Sequence, residues 1–259
     1  MTVVRDSVWV HEQYSLKKRN LIGGSKHIPV RRRAGDILYY KVEVNRNSTH
    51  EGPVLDVSYN STRRLLASSS TDCVVRVWNL PTARRIRDYK NHTSQVNAVE
   101  WNPINHDFFL SGSNKEVILD DSRDYEPPKR WATKSEVKTV AWNHSNQYQF
   151  MINCADGTAL VQDIRNGPHL AVGDGDISAV SYHPTKNVYA MGSRTGMVKV
   201  WEANSSKELQ QVNHMFRRSG RNKKARENIC ISCLSFSPDG ENLAYGTTNG
   251  TFGLIKVQS

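Results

Sequence analysis

Apolar residues alternate with polar ones in short runs along most of the chain, and the runs return in the same order. The clearest set is Val54-Leu-Asp-Val57-Ser-Tyr59, then Leu65-Leu-Ala-Ser68-Ser-Ser70, the turn Thr71-Asp72, and Val74-Val-Arg-Val77-Trp78-Asn79. Alternation with period two predicts strands with one inward face, and small residues ahead of a turn predict hairpins. The opening run recurs as Val96-Asn-Ala-Val99-Glu-Trp101, Val137-Lys-Thr-Val140-Ala-Trp142, Ile177-Ser-Ala-Val180-Ser-Tyr182 and Ile231-Ser-Cys-Leu234-Ser-Phe236. Second runs follow two of these at Phe109–Ser113 and Phe150–Cys154.

Val57, Val99, Val140 and Val180 are spaced by about 40 residues, and only the step to Leu234 is longer. A second register agrees. A turn residue stands six positions before the end of the third strand in Asp72/Trp78, Asn114/Asp120, Asp156/Gln162, Thr195/Trp201 and Asn249/Ile255, with Ala34/Tyr40 at the same spacing. Glycine follows the turn residue at 35, 157, 196 and 250, where a tight hairpin needs positive φ.

A repeat of this length and content resembles the WD40 β-propeller. The expected fold is all-β, with six four-stranded blades, or seven, in a single domain over 1–259. Residues 1–50 form a degenerate closing blade, 51–211 four clear repeats, 213–228 a basic insertion loop and 229–259 the last repeat. The final unit runs out at Val257, and Thr2–Val10 is expected to meet it in one sheet, closing the ring through the termini and removing two edges. His50 and His92 precede first strands, where WD40 blades place a His that joins a Ser, Asp and Trp network. With Asp72, Trp78, Asp156 and Trp201 they are read as structural repeat positions.

Composition sharpens this without changing it. The chain is 37% hydrophobic and 23% charged, with no apolar run long enough to cross a bilayer. The charged start (Arg5, Asp6, Glu12) lacks the apolar stretch of a secretion signal. Four cysteines are too few for a disulfide framework. The formal charge of +10 favours polyanionic partners. Three tracts concentrate it: Lys17, Lys18 and Arg19; Arg31, Arg32 and Arg33; and, in the long last interval, Arg217, Arg218, Arg221, Lys223, Lys224 and Arg226. Loops are where a rigid scaffold presents binding groups, so these are the candidate contacts to nucleic acid or partner proteins.

Catalytic chemistry finds little support. Cys230 and Cys233 form a CxxC inside a predicted strand without a second ligand pair. Asp120, Asp121 and Asp124 stand where a third strand enters a surface loop. Gly23-Gly24-Ser25-Lys26 lacks phosphate-loop spacing. No catalytic residue, metal or cofactor is expected, and no small-molecule substrate.

Two stretches go beyond the generic repeat: His92–Val99 with Leu110-Ser-Gly-Ser-Asn-Lys-Glu-Val-Ile-Leu-Asp-Asp-Ser-Arg123, and Arg130-Trp131 with Glu136-Val-Lys-Thr-Val-Ala-Trp142-Asn143-His144. Continued through Ala155–Arg165, they resemble the periodic tryptophan protein 1 family. The resemblance implies a non-enzymatic scaffold in large-subunit ribosome biogenesis and rRNA processing. It also implies a monomer within a larger complex of pre-ribosomal proteins and rRNA, in the nucleus and nucleolus, with the cytoplasm as a further compartment. The alternative is a general WD40 adaptor between proteins, similar to mRNA-export or checkpoint propellers, with no membrane partner in either case.

Overall fold

The computed structural model describes residues 50–62, 64–82, 84–123, 127–165, 170–171, 176–203, 207–213 and 229–257. They form five antiparallel sheets, each a meander in which successive strands pair with their neighbours. The first sheet holds β1 (Val54–Tyr59), β2 (Leu65–Ser70), β3 (Val75–Asn79) and β4 (Arg84–Tyr89). The second holds β5 (Ala98–Trp101), β6 (Phe108–Gly112), β7 (Glu116–Asp121) and β8 (Lys129–Ala132). In the third are β9 (Val137–Trp142), β10 (Gln149–Cys154), β11 (Ala159–Asp163) and β12 (Leu170–Ala171). β13 (Ile177–Tyr182), β14 (Val188–Ser193), β15 (Met197–Glu202) and β16 (Glu208–Asn213) make the fourth, and β17 (Ile231–Phe236), β18 (Asn242–Thr247) and β19 (Phe252–Lys256) the fifth.

The tight turns between second and third strands explain the glycine spacing. Gly157, Gly196 and Gly250 have φ of 86°, 84° and 83°. In the first two sheets Cys73 (φ 66°) and Lys115 (φ 63°) occupy the same register in the left-handed region, which costs any side chain about 1–2 kcal/mol.

Innermost strands pack in chain order, β1 on β5, β5 on β9, β9 on β13 and β13 on β17. Each second strand carries a large side chain toward the preceding sheet, in register with the aromatic ending the first strand: Phe109 beside Trp101, Phe150 beside Trp142, Tyr189 beside Tyr182. Phe109 meets Tyr89 of the first sheet edge-on at 5.0 Å, and Phe150 meets Trp131 of the second at 5.1 Å. The core is therefore a series of interfaces between sheets, each burying alternate residues of both.

Two polar devices tie the sheets together. Innermost strands do not pair laterally, so side chains satisfy their amides: Val99 N–H donates to Asp56 Oδ2 (3.1 Å), Trp101 N–H to Ser58 Oγ (3.0 Å) and Trp142 N–H to Glu100 Oε2 (3.0 Å). Directly after those strands the residue following the aromatic reaches the next sheet. Asn102 donates to Gln147 O (2.8 Å), Asn143 to Asn187 Oδ1 (2.6 Å) and His183 Nε2 to Gly240 O (3.1 Å). Their remaining acceptors cap their own turns, as His183 Nδ1 does by accepting the N–H of Thr185 (3.1 Å) and Lys186 (2.9 Å). A buried polar group held on both sides fixes the angle between sheets at little desolvation cost.

Among the described residues the arc has two open faces. Tyr59 is 44% exposed, although its counterparts Trp101 and Trp142 are buried. On the fifth sheet Phe252 and Leu254 are 81% and 71% exposed, and no fourth strand flanks β19. The expected degenerate blade at 1–50 lies outside the described residues apart from His50, as does the expected closing strand Thr2–Val10.

Candidate interaction site

The repeat positions assemble most fully in the first sheet. A carboxylate only accepts, so His50 Nδ1–H donates to Asp72 Oδ2 (2.8 Å). Trp78 Nε1–H donates to Ser68 Oγ (2.9 Å), which leaves the Ser68 hydroxyl proton for His50 Nε2 (2.8 Å). Burial acts to raise the Asp72 pKa, but the hydrogen bonds from His50 and the Glu51 amide outweigh it and hold the carboxyl below its ordinary value. Asp72 Oδ1 also accepts the Val74 N–H, so one side chain shapes the turn and joins it to the network.

In the second sheet Ser111 still binds His92 Nε2 (2.7 Å), but Glu116 takes the other ring nitrogen (3.1 Å) and Asp120 stands where Trp78 does. Burial lowers the His92 pKa, partly offset by Glu116. By strand register the position of Ser68 is held by Ile152, Met191 and Tyr245 in the later sheets. Trp201 consequently has an indole N–H without a partner among the described residues, with Lys199 Nζ 5.6 Å from its ring centre. Asp156 lies on an exposed turn, accepting the N–H and Oγ–H of Thr158 at 3.0 and 2.7 Å. The network is thus polar at one end of the arc and apolar at the other.

The loops entering the first strands and the tight turns line one rim. There Glu136 accepts from Asn97 Nδ2 (2.8 Å) and pairs with Lys138 Nζ (2.9 Å), and these contacts lower its pKa. Arg194 reaches Ala155 O, and Thr195 Oγ1–H donates to Asp176 (3.0 Å). The rim presents fixed donors and acceptors, which suits binding.

A second surface was not singled out from the sequence. The outer strands of the first two sheets bring Arg84, Arg85, Arg87 and Lys90 alongside Arg130. Between them runs a groove of about 320 Å³ lined by Arg87, Tyr89, Lys90, Asn91, Asp120 and Pro128, among others. Arg130 ties its walls together, donating to Asn91 O (3.0 Å) and Glu116 Oε2 (3.0 Å). Arg84-Arg85-Ile-Arg87 was the available signal, a basic run between Pro81-Thr82 and Asn91-His92.

All twelve basic residues named as candidate contacts, Lys17 to Arg33 and Arg217 to Arg226, lie outside the described residues. Their charge is still informative. Residues 1–49 hold ten Lys and Arg against four Asp and Glu, and 214–228 six against one, whereas 50–213 and 229–259 together hold 19 against 20. The excess belongs to those two segments.

Among the described residues no group of three His, Cys, Asp or Glu is placed to hold a metal ion, and no helix is long and apolar enough to cross a membrane. Cys230 precedes β17 and Cys233 is exposed within it, both as free thiols. Asp121 is buried, which opposes its ionisation, yet the hydrogen bonds of Arg123 lower its pKa.

The WD domain, G-beta repeat model matches residues 42–79, and the Anaphase-promoting complex subunit 4 WD40 domain model matches 180–259. The chain is 27% identical over 178 residues to the Periodic tryptophan protein 1 homolog of Drosophila melanogaster, covering 64% of this chain and 39% of that protein. It is 23% identical over 252 residues to the Ribosome biogenesis protein BOP1 homolog of Oryza sativa subsp. japonica (78% and 34%). Over 222 residues it is 25% identical to the Guanine nucleotide-binding protein subunit beta-like protein of Encephalitozoon cuniculi (77% and 66%). It thus spans between about a third and two thirds of the length of these relatives. Among solved structures, the Cps50 (Swd1) β-propeller domain of Myceliophteria thermophila superposes with a TM-score of 0.68 at 17% identity, covering 81% of this chain and 67% of that one. The chain carries WD40 repeats on a β-propeller fold.

Proposed function

We propose that this chain is a non-catalytic WD40 scaffold in ribosome biogenesis, holding pre-ribosomal proteins and rRNA of the large subunit in the nucleolus. The observation that carries the reading is the likeness to the periodic tryptophan protein 1 homologue, joined by that to a protein named for ribosome biogenesis. The charge distribution supports an rRNA contact, because the positive excess is confined to 1–49 and 214–228. The fixed polar rim supports a role in holding protein partners without turnover.

The test is purification of the tagged chain from native cells at low and high salt, with co-purifying proteins and RNAs identified. Large-subunit precursors with rRNA intermediates are the expected result. A small set of non-ribosomal proteins without RNA overturns the reading in favour of a general adaptor, which the likeness to G-protein β-like proteins supports.

A further inference from the structure

We infer that β4, the outer strand of the first sheet, is a docking edge for an extended acidic peptide that adds to the sheet as a fifth strand. This rests on the side wall of the propeller and not on the ribosomal reading.

Among the described residues β4 pairs with β3 alone, so its other edge leaves backbone donors and acceptors open to a further strand. Its exposed side chains are Arg84, Arg85 and Ile86, the last 51% exposed. Lys90 stands at its end. Arg84 and Lys90 make no ion pair with any described residue, whereas Arg85 is paired to Asp88 at 3.3 Å and Arg130 to Glu116 at 3.0 Å. The edge thus presents two uncompensated cations around one apolar side chain, beside a groove of about 320 Å³ whose three aspartates are already held, Asp88 by Arg85, Asp120 by Asn91 and Asp121 by Arg123.

β16, the outer strand of the fourth sheet, lacks this combination. It reads Glu-Leu-Gln-Gln-Val-Asn, without a cation. A cationic edge repels a second copy of itself, which blocks self-association, and the same charges attract an anionic strand. An open strand edge matches a peptide backbone. Nucleic acid is disfavoured because Tyr89 is buried and Trp131 is packed on Phe150, so neither offers a free ring for base stacking. The matching ligand alternates Asp or Glu with apolar residues, so that one apolar side chain meets Ile86 while its acids meet Arg84 and Lys90.

The experiment uses the full chain and a labelled peptide of ten residues alternating Glu and Val, with a scrambled-charge Lys/Val peptide and a single-stranded RNA decamer as comparisons. Binding is read by fluorescence anisotropy, and amide hydrogen exchange locates the protected residues. The expected result is saturable binding of the acidic peptide alone at the edge, with slowed exchange across 84–89. Affinity falls at least tenfold in Arg84→Glu/Lys90→Glu and in Ile86→Asp, and is unchanged in the control Gln210→Glu on β16. Variants are used only where their thermal midpoint matches the parent, and Arg84→Gln, which removes one charge from a fully exposed site, serves as the milder second variant. The inference is overturned if the acidic peptide fails to bind at 0.5 mM peptide, if it binds without slowing exchange at 84–89, or if RNA competes it off that same edge.

Discussion

Replacing Ser68 by Ala deletes the single atom on which the network of the first sheet converges. Its Oγ accepts the Trp78 indole N–H at 2.9 Å and faces His50 Nε2 at 2.8 Å. Ser68 and Trp78 are both buried, so the indole N–H loses its acceptor where water does not replace it. An orphaned buried polar group costs about 1–3 kcal/mol. The His50 side chain is only 4% exposed, so its Nε2 also loses its partner away from water, which brings the expected total to about 2–4 kcal/mol. The neighbouring Ser69 is an internal control. It is just as buried, but its hydroxyl makes one long contact, to Asp56 O at 3.5 Å, so Ser69→Ala should cost under about 1 kcal/mol. Urea unfolding of the full chain followed by circular dichroism measures both, with Trp78→Phe added to complete a double-mutant cycle. The two changes should couple by at least about 1 kcal/mol, because the double variant leaves no orphaned indole. Equal costs for Ser68→Ala and Ser69→Ala, or no coupling with Trp78→Phe, would refute the view that this network contributes to stability.

Cys73→Gly and Lys115→Gly relieve left-handed side chains at the cost of a more mobile unfolded chain, and each should raise stability by about 0.5–1 kcal/mol in the same urea assay. Gly240→Ala should lower it by about 3 kcal/mol, since a Cβ there would lie 2.2 Å from His183 Cε1 on a backbone at φ 74°. Burial lowers the pKa of both His92 and His183, and the His183 Nδ1 lone pair is already taken by two backbone amides. The unfolded chain therefore binds more protons just below pH 6.5, so the contribution of these rings is full above that value and is lost as pH falls through their depressed folded values. Thermal midpoints between pH 7.5 and 5 should show this decline, and His183→Asn should flatten it.

The aromatic or tyrosyl ends of the first strands, Tyr59, Trp101, Trp142, Tyr182 and Phe236, were legible because burial between sheets selects one residue class at one register. The glycine turns were legible for a backbone reason. Cys73 and Lys115 were not, because nothing in those side chains announces a left-handed backbone. The fourth strands were the hardest to read. Arg84–Tyr89, Lys129–Ala132 and Glu208–Asn213 are half-exposed edges where solvent relaxes the alternation, which also hid the basic wall. The bridging role of Asn102, Asn143 and His183 needed the spatial arrangement, since each acts on a loop about 45 to 57 residues further along.

The division of charge means that ionic strength acts on assembly and on folding through different parts of the chain. The blades are nearly balanced and held by apolar interfaces and buried polar links, so screening at about 1 M salt, where the Debye length is about 3 Å, leaves most of their stability in place. The tracts at 1–49 and 214–228 hold the net positive charge, and their attraction to a polyanion fades over the same range. On the proposed rRNA contact, salt is therefore expected to work as a release agent rather than a denaturant, with the polyanion eluted and rebound on the same folded molecule.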